Sequence, residues 1–233
     1  PVTWLDDNRG WLARAGERWA PRSPEAFTVR AWFSSPVAWS ERGAQLDGLL
    51  QRLVVERETG FPSDDVFAEC PRGLHPEIQI PVVDATIAGL PIARCSWGMP
   101  PPIAVESIRW RRKRARLEAM SGNRLTIAGG PYKSTNIPVQ TLVTPWLDFH
   151  VVADRALVRD LLGEASALGR GYSSGLGTLL GVEYLPDPEG RSLAWRGRPM
   201  RSIPLGAGGP SLHDPICMLA ATRAPYWAGK GER

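Results

Sequence analysis

Proline and glycine punctuate this chain from end to end, with 22 Pro and 24 Gly among 233 residues. Proline removes a backbone donor and clashes with the preceding helical turn, so long helical bundles are excluded. Between residues 61 and 105 prolines stand at 62, 71, 76, 81, 91 and 100 to 102, which leaves room for short strands only. The apolar share of 43% and the charged share of 22% are ordinary globular values and argue against global disorder. A chain of this length buries enough surface to fold without disulfides or a metal. Its three cysteines, Cys70, Cys95 and Cys217, are odd in number and form no Cys-x-x-Cys pair. They speak against a disulfide framework and against a structural zinc site. No apolar run approaches the roughly 18 to 20 residues that span a bilayer. The first residues, Pro1 to Asp7, are acidic and lack a signal-peptide core. The expectation is a soluble cytoplasmic protein with no membrane partner.

Periodicity divides the chain into an N-terminal extension (1–25), a core domain (26–205) and a Gly/Pro-rich tail (206–233). In the extension Trp4, Leu5, Trp11 and Leu12 fit one helical stripe, with Trp19 following and Pro21 and Pro24 ending it. This stripe is expected to pack on a domain or on a partner, with a partner favoured because exposed tryptophans on a monomer invite aggregation. Val29, Ala31 and Phe33 alternate as a strand over 28–33 that Pro36 ends. Leu46, Leu49, Leu50, Leu53 and Val54 follow helical spacing up to Gly60. Short strands are expected at 78–83 and 92–97, further strands from Ile103 into 109–116, over 137–143 and over 147–152, and a turn at Gly129 to Pro131. A second helix is expected from an Asp154 cap through Leu157, Leu161, Leu162, Ala165 and Leu168, with Gly169 as its stop. A strand over 178–185 follows, and 192–196 is expected to return as its hairpin. Strand, helix, strands, helix, strand is the order of a split β-α-β, ferredoxin-like α+β fold with β-hairpin insertions.

Two segments concentrate chemistry. The run Arg109, Trp110, Arg111, Arg112, Lys113, Arg114, Ala115, Arg116 holds six cations in eight residues. As a strand it would carry cations on both faces, which fits an edge or a protruding hairpin and a phosphate backbone as ligand. The second segment is Gly169, Arg170, Gly171, Tyr172, Ser173, Ser174, Gly175, Leu176, Gly177. It is not a dinucleotide fingerprint, because position 174 is Ser and the loop leads from helix to strand. Its glycines allow close approach to phosphates, its N–H groups can bind anionic oxygens, and Tyr172 can stack on a base. The alternative for this segment is a plain flexible connection. Gly130 to Ser134 resembles the end of a P-loop, but no Gly precedes Lys133. His75, His150 and His213 lie far apart without metal-ligand spacing, so no metal, cofactor or catalytic residue is assigned. The ten tryptophans, Trp32, Trp39, Trp97, Trp146 and Trp195 among them, read as core or interface anchors rather than base platforms.

Three stretches together carry a family resemblance. They are Val29 to Val37 with Leu46 to Leu50; Gly130 to Ser134; and Leu161 to Gly177 continuing through Gly197, Arg198, Pro199, Met200, Arg201 to Pro204. Over roughly residues 27 to 205 the chain resembles the RAMP superfamily of CRISPR-associated proteins. The likeness is to the subunit that caps the 5′ handle of the guide RNA in type IV, Cascade-like effector complexes. The resemblance implies an RRM-like core and a non-catalytic RNA-binding role. It implies as partners the crRNA 5′ handle, a filament-forming backbone subunit and a large subunit, and it allows contact with a processing subunit and with the DNA flanking the target. By it, the loop from Gly169 to Gly177 touches RNA, with Lys133 and Arg201 as further contacts. The loop holds one cation, Arg170, fewer than the family loop usually carries, so the run from Arg109 to Arg116 would supply most of the charge. The alternative activity is a metal-independent endoribonuclease that processes precursor RNA, for which His75, His150, Tyr132, Lys133 and Tyr172 would be the available groups.

Overall fold

A computed structural model describes residues 4–39, 43–67, 70–71, 76–113, 135–169, 175–201 and 203, with 111–113 and 135–137 as backbone. The elements are α1 (Trp4–Trp19), β1 (Pro24–Phe33), β2 (Val37–Ala38), α2 (Leu46–Thr59), α3 (Ser63–Val66), β3 (Asp84–Ile87), β4 (Leu90–Ala93), β5 (Val105–Lys113), β6 (Thr135–Val143), β7 (Trp146–Asp154), α4 (Arg155–Leu162), β8 (Leu179–Pro186), β9 (Ala194–Trp195) and β10 (Arg198–Pro199). The fold is mixed α+β, with small antiparallel sheets.

The central sheet has the order β7-β1-β8, both pairings antiparallel. Strand alternation sends Phe27, Val29, Ala31 and Phe33 of β1 and Leu147, Phe149, Val151 and Ala153 of β7 into one core. Leu49, Leu50, Leu53 and Val54 of α2 and Val158 and Leu161 of α4 close that core from the helix side. The outer edge of β7 is bridged by Val82 to Ala153, Cys95 to Val151 and Met99 to Asp148. Hydrogen bonds from Val83 N–H to Val152 O (2.9 Å) and from Ser96 N–H to His150 O (2.8 Å) extend this pairing. The strands expected at 78–83 and 92–97 are thus displaced. Residues 81–83 and 94–99 line β7, and the regular hairpin β3–β4 grows out between them through a turn whose Ala88 and Gly89 both have positive φ.

Helix α2 begins and ends where spacing places it. Gly60, at φ 74°, donates its N–H to Glu56 O (2.9 Å) and stops it. Asp154 caps α4 by accepting from Leu157 N–H (3.2 Å), and its carboxyl is held below the usual range by backbone N–H groups that outweigh its burial. The helix ends at Gly163 rather than at Gly169. Ala165 and Leu168 lie on the return segment, which Ala167 bridges to Thr178. The segment near 192–196 also differs from expectation, since β9 pairs with β10 rather than with β8.

The tryptophans of the extension face inward. Trp11 and Trp19 are buried, α1 packs on α2, and Trp4 stacks on Phe67 with centroids 5.9 Å apart. The extension thus packs on the domain: Trp4 and Leu12 are half-buried against the core, while Leu5 of the same stripe stays 41% exposed. Among the described residues no helix is long and apolar enough to cross a membrane.

Candidate nucleic-acid interface

Strand β5 pairs with β6 along its whole length, from Val105 opposite Val143 to Lys113 opposite Thr135. Every residue from Val105 to Trp110 is exposed, Ile108 by 60% and Trp110 by 69%. Apolar side chains on both faces of a two-stranded ribbon, and the cation Arg109 on one, therefore face solvent. Such a ribbon is marginal alone and calls for a surface to lie on. Arg109 is exposed, and Arg111, Arg112 and Lys113 continue the strand opposite Ile137, Asn136 and Thr135. The cationic run is thus an edge strand as far as Lys113. Arg114, Arg116 and Lys133 lie outside the described residues, as does the turn at Gly129 to Pro131.

The root of this arm is anchored. β2 pairs with β6, Val37 opposite Leu142 and Ala38 opposite Thr141, and Trp39 N–H donates to Gln140 O (2.8 Å). Leu142 and Thr141 are buried there, and the Thr141 hydroxyl donates to Ser107 O (3.2 Å).

The Gly-rich loop is pinched shut at its base. Leu168 N–H donates to Gly177 O and Gly177 N–H to Pro36 O, both at 2.8 Å. Thr178 N–H donates to Ser35 Oγ (2.9 Å), and Ser34 N–H to Thr178 O (3.0 Å). Gly177 has φ 66°, and a Cβ there would lie 1.9 Å from Leu168 O. No side chain fits that position. Gly177→Ala is expected to open the pinch at a cost of about 2 kcal/mol or more, from left-handed strain together with the lost close approach. Thermal unfolding and proteolysis within 169–177 check this; an unchanged midpoint and cleavage pattern would count against it. Gly169 (φ 88°) and Gly175 (φ 75°) are also left-handed, and Gly169 sits beside Val37. Arg170, Gly171, Tyr172, Ser173 and Ser174 lie outside the described residues.

The loop base and the arm root therefore meet on one short segment, Ser34 to Ala38. Pattern reading credits Pro36 only with ending a strand. Its carbonyl in fact holds the loop, and the next two residues hold the arm. The sequence signal is faint, a two-residue strand after Ser-Ser-Pro.

Two other expected residues fall elsewhere. Arg201 is 3% exposed and cannot meet an RNA surface. Its guanidinium donates to Asp47 Oδ2 (3.2 Å), to Cys95 O (3.0 Å) and to Ala93 O. It ties the segment after β10 to the start of α2 and to the edge beside β7. His150 is buried too, its Nδ1 2.9 Å from Thr28 Oγ1 and 3.2 Å from Asp187 Oδ2. Burial, and then the positive Arg191, push its pKa below the usual value against the pull of Asp187 and Asp148. Neutral and enclosed, it is not placed to take a proton from a surface ribose. His75 and Tyr132, like Lys133 and Tyr172, lie outside the described residues.

The lowered His150 pKa has a stability consequence. The native state resists a proton that the unfolded chain accepts near pH 6.5. This part of the stability is present above about pH 6.5 and is lost as pH falls below it. His150→Asn is expected to flatten the decline in unfolding free energy between pH 7 and 5. Parallel curves for variant and parent would show that another group titrates there.

No model of a known protein family matches this chain, and no curated protein matches it either.

Proposed function

We propose that this protein is a non-catalytic RNA-binding subunit that caps the 5′ handle of a guide RNA in a type IV CRISPR effector complex. One observation carries the reading: the base of the Gly-rich loop and the root of the cationic arm are joined at Ser34 to Ala38. A strand of RNA gripped there would lie beside a segment rich in glycine and a segment rich in cations. Phosphates favour both, since exposed N–H groups and guanidinium groups bind anionic oxygens. Unstacked handle bases could then be splayed and read.

The chain order supports a ferredoxin-like, RAMP-type core. Helix α2 follows β1, α4 joins β7 to β8, and β1 lies between β7 and β8 with antiparallel neighbours. With 81–83 and 94–99 along the outer edge of β7, four strand positions follow one another as in two interleaved β-α-β units. The exposed apolar residues of the arm, Val105, Ile108 and Trp110, suit contact with neighbouring subunits along the guide.

The test is binding of end-labelled repeat RNA in EDTA over a salt series, run on native and denaturing gels. The expected result is salt-dependent binding of intact RNA, with preference for the 5′ handle. A single discrete cut without metal would replace this reading with processing by an endoribonuclease. No binding to the handle, alone or with the partner subunits, would refute it.

A further inference from the structure

The sheet face turned away from the helices carries two cross-strand rows. Trp146, Trp32 and Gly181 stand side by side on β7, β1 and β8, with Asp148, Arg30 and Glu183 in the next row. The two indole rings meet at 52° with centroids 5.0 Å apart. Arg30 donates through Nε and Nη2 to both oxygens of Asp148, each at 2.8 Å, and its guanidinium lies 5.0 Å from the Trp146 ring centroid. A cation held by two hydrogen bonds fixes the ring it covers. Gly181 is exposed, its φ is not left-handed, and a Cβ there would meet nothing within 4 Å. The β1–β8 register shifts just beyond this pair, between Trp32 and Phe33, and a strand glycine marks such an irregularity or a place where another group comes close. The result is an open slot beside Trp32.

This slot lies a few residues along the chain from the loop base and the arm root. Trp146 opens β7 just after β6 ends at Val143, and Trp32 precedes Ser34, whose N–H binds Thr178 O at the loop base. We propose that the Trp32–Trp146–Gly181 shelf receives one unpaired base of the bound RNA. The inference rests on the RNA-binding reading above and departs from the expectation that these tryptophans are only anchors. A base has the flat π face that an indole stacks on, and such stacking accepts any base. The neighbouring row is net negative, since Arg30 neutralises Asp148 and leaves the exposed Glu183, which repels phosphates. The sugar-phosphate backbone would therefore run toward the arm cations, with the base turned onto the sheet.

The experiment measures binding of handle RNA, and of the same strand with a single abasic position moved along it, to the full chain. Gly181→Val fills the slot at a site where the backbone accepts a side chain, and its thermal midpoint should stay at or above that of the parent. For the parent, one abasic position is expected to weaken binding about tenfold. Gly181→Val should weaken the intact strand about tenfold and become indifferent to that same position. Full affinity in Gly181→Val, or retained sensitivity to the abasic position, would overturn the proposal. If an arm variant still loses binding in that case, the shelf fails while the RNA reading stands. If the parent binds no RNA, both fall. Normal RNA binding with blocked subunit assembly in Gly181→Val would overturn the proposal in favour of a protein contact.

Discussion

Arg201→Met is expected to destabilise the chain by about 3–5 kcal/mol, because it removes the guanidinium facing a buried carboxylate. Arg201 and Asp47 are both buried, and the same guanidinium satisfies the carbonyls of Cys95 and Ala93. Loss of the side chain takes the counter-charge from Asp47 and one donor from each carbonyl, although Ala93 O keeps the N–H of Cys95. The paired variant Arg201→Met with Asp47→Leu should recover part of the loss, since an apolar pair of similar volume often replaces a buried ion pair at little cost. Denaturant unfolding of both variants checks this. A loss under about 1 kcal/mol for the single variant would mean that Arg201 is a surface cation after all, and would return it to the RNA contacts.

Trp19→Ala carries an expected loss of similar size, about 3–5 kcal/mol. Trp19 is wholly buried, its indole N–H donates to Glu58 Oε1 (3.0 Å), and Arg57 lies 5.2 Å from its ring centroid. The same carboxylate is an ion-pair partner of Arg14 and Arg18, so the cavity would also unsettle the seam between α1 and α2. The measurement is the denaturation midpoint of the isolated chain. If stability were unchanged alone and assembly with partner subunits lost, α1 would be a docking element instead of part of the core.

What could be read from the sequence follows the range of the forces involved. The run of leucines in α2, the stop at Gly60 and the cap at Asp154 are local, and spacing with capping chemistry finds them. The end of α4 is not local. Ala165 and Leu168 keep helical spacing, yet the chain leaves the helix at Gly163 because pairing of Ala167 with Thr178 draws the segment toward β8. The inward turn of Trp11 and Trp19 depends likewise on a helix some forty residues on. At the site, the charge density of 109–116 is legible because six cations in eight residues need no tertiary information. The meeting of arm and loop is hidden, since it rests on Gly177 bonding Pro36 and on β6 pairing with β2, contacts more than 100 residues apart. Arg201 shows the converse. A buried, ion-paired arginine and an exposed one look alike in sequence, and its partner Asp47 is 154 positions away.

The most direct test of the RNA-binding account is the slope of log Kobs against log salt for handle RNA, compared between the parent and a variant with Arg109, Arg111, Arg112 and Lys113 replaced by Ala. Each phosphate contact on a single strand contributes about 0.7 to that slope, so four lost contacts should lower it by about 3. The expected result is that reduced slope, together with weaker binding at low salt. The same slope and affinity in both proteins would contradict the account, because the arm would then make no contact with the phosphate backbone.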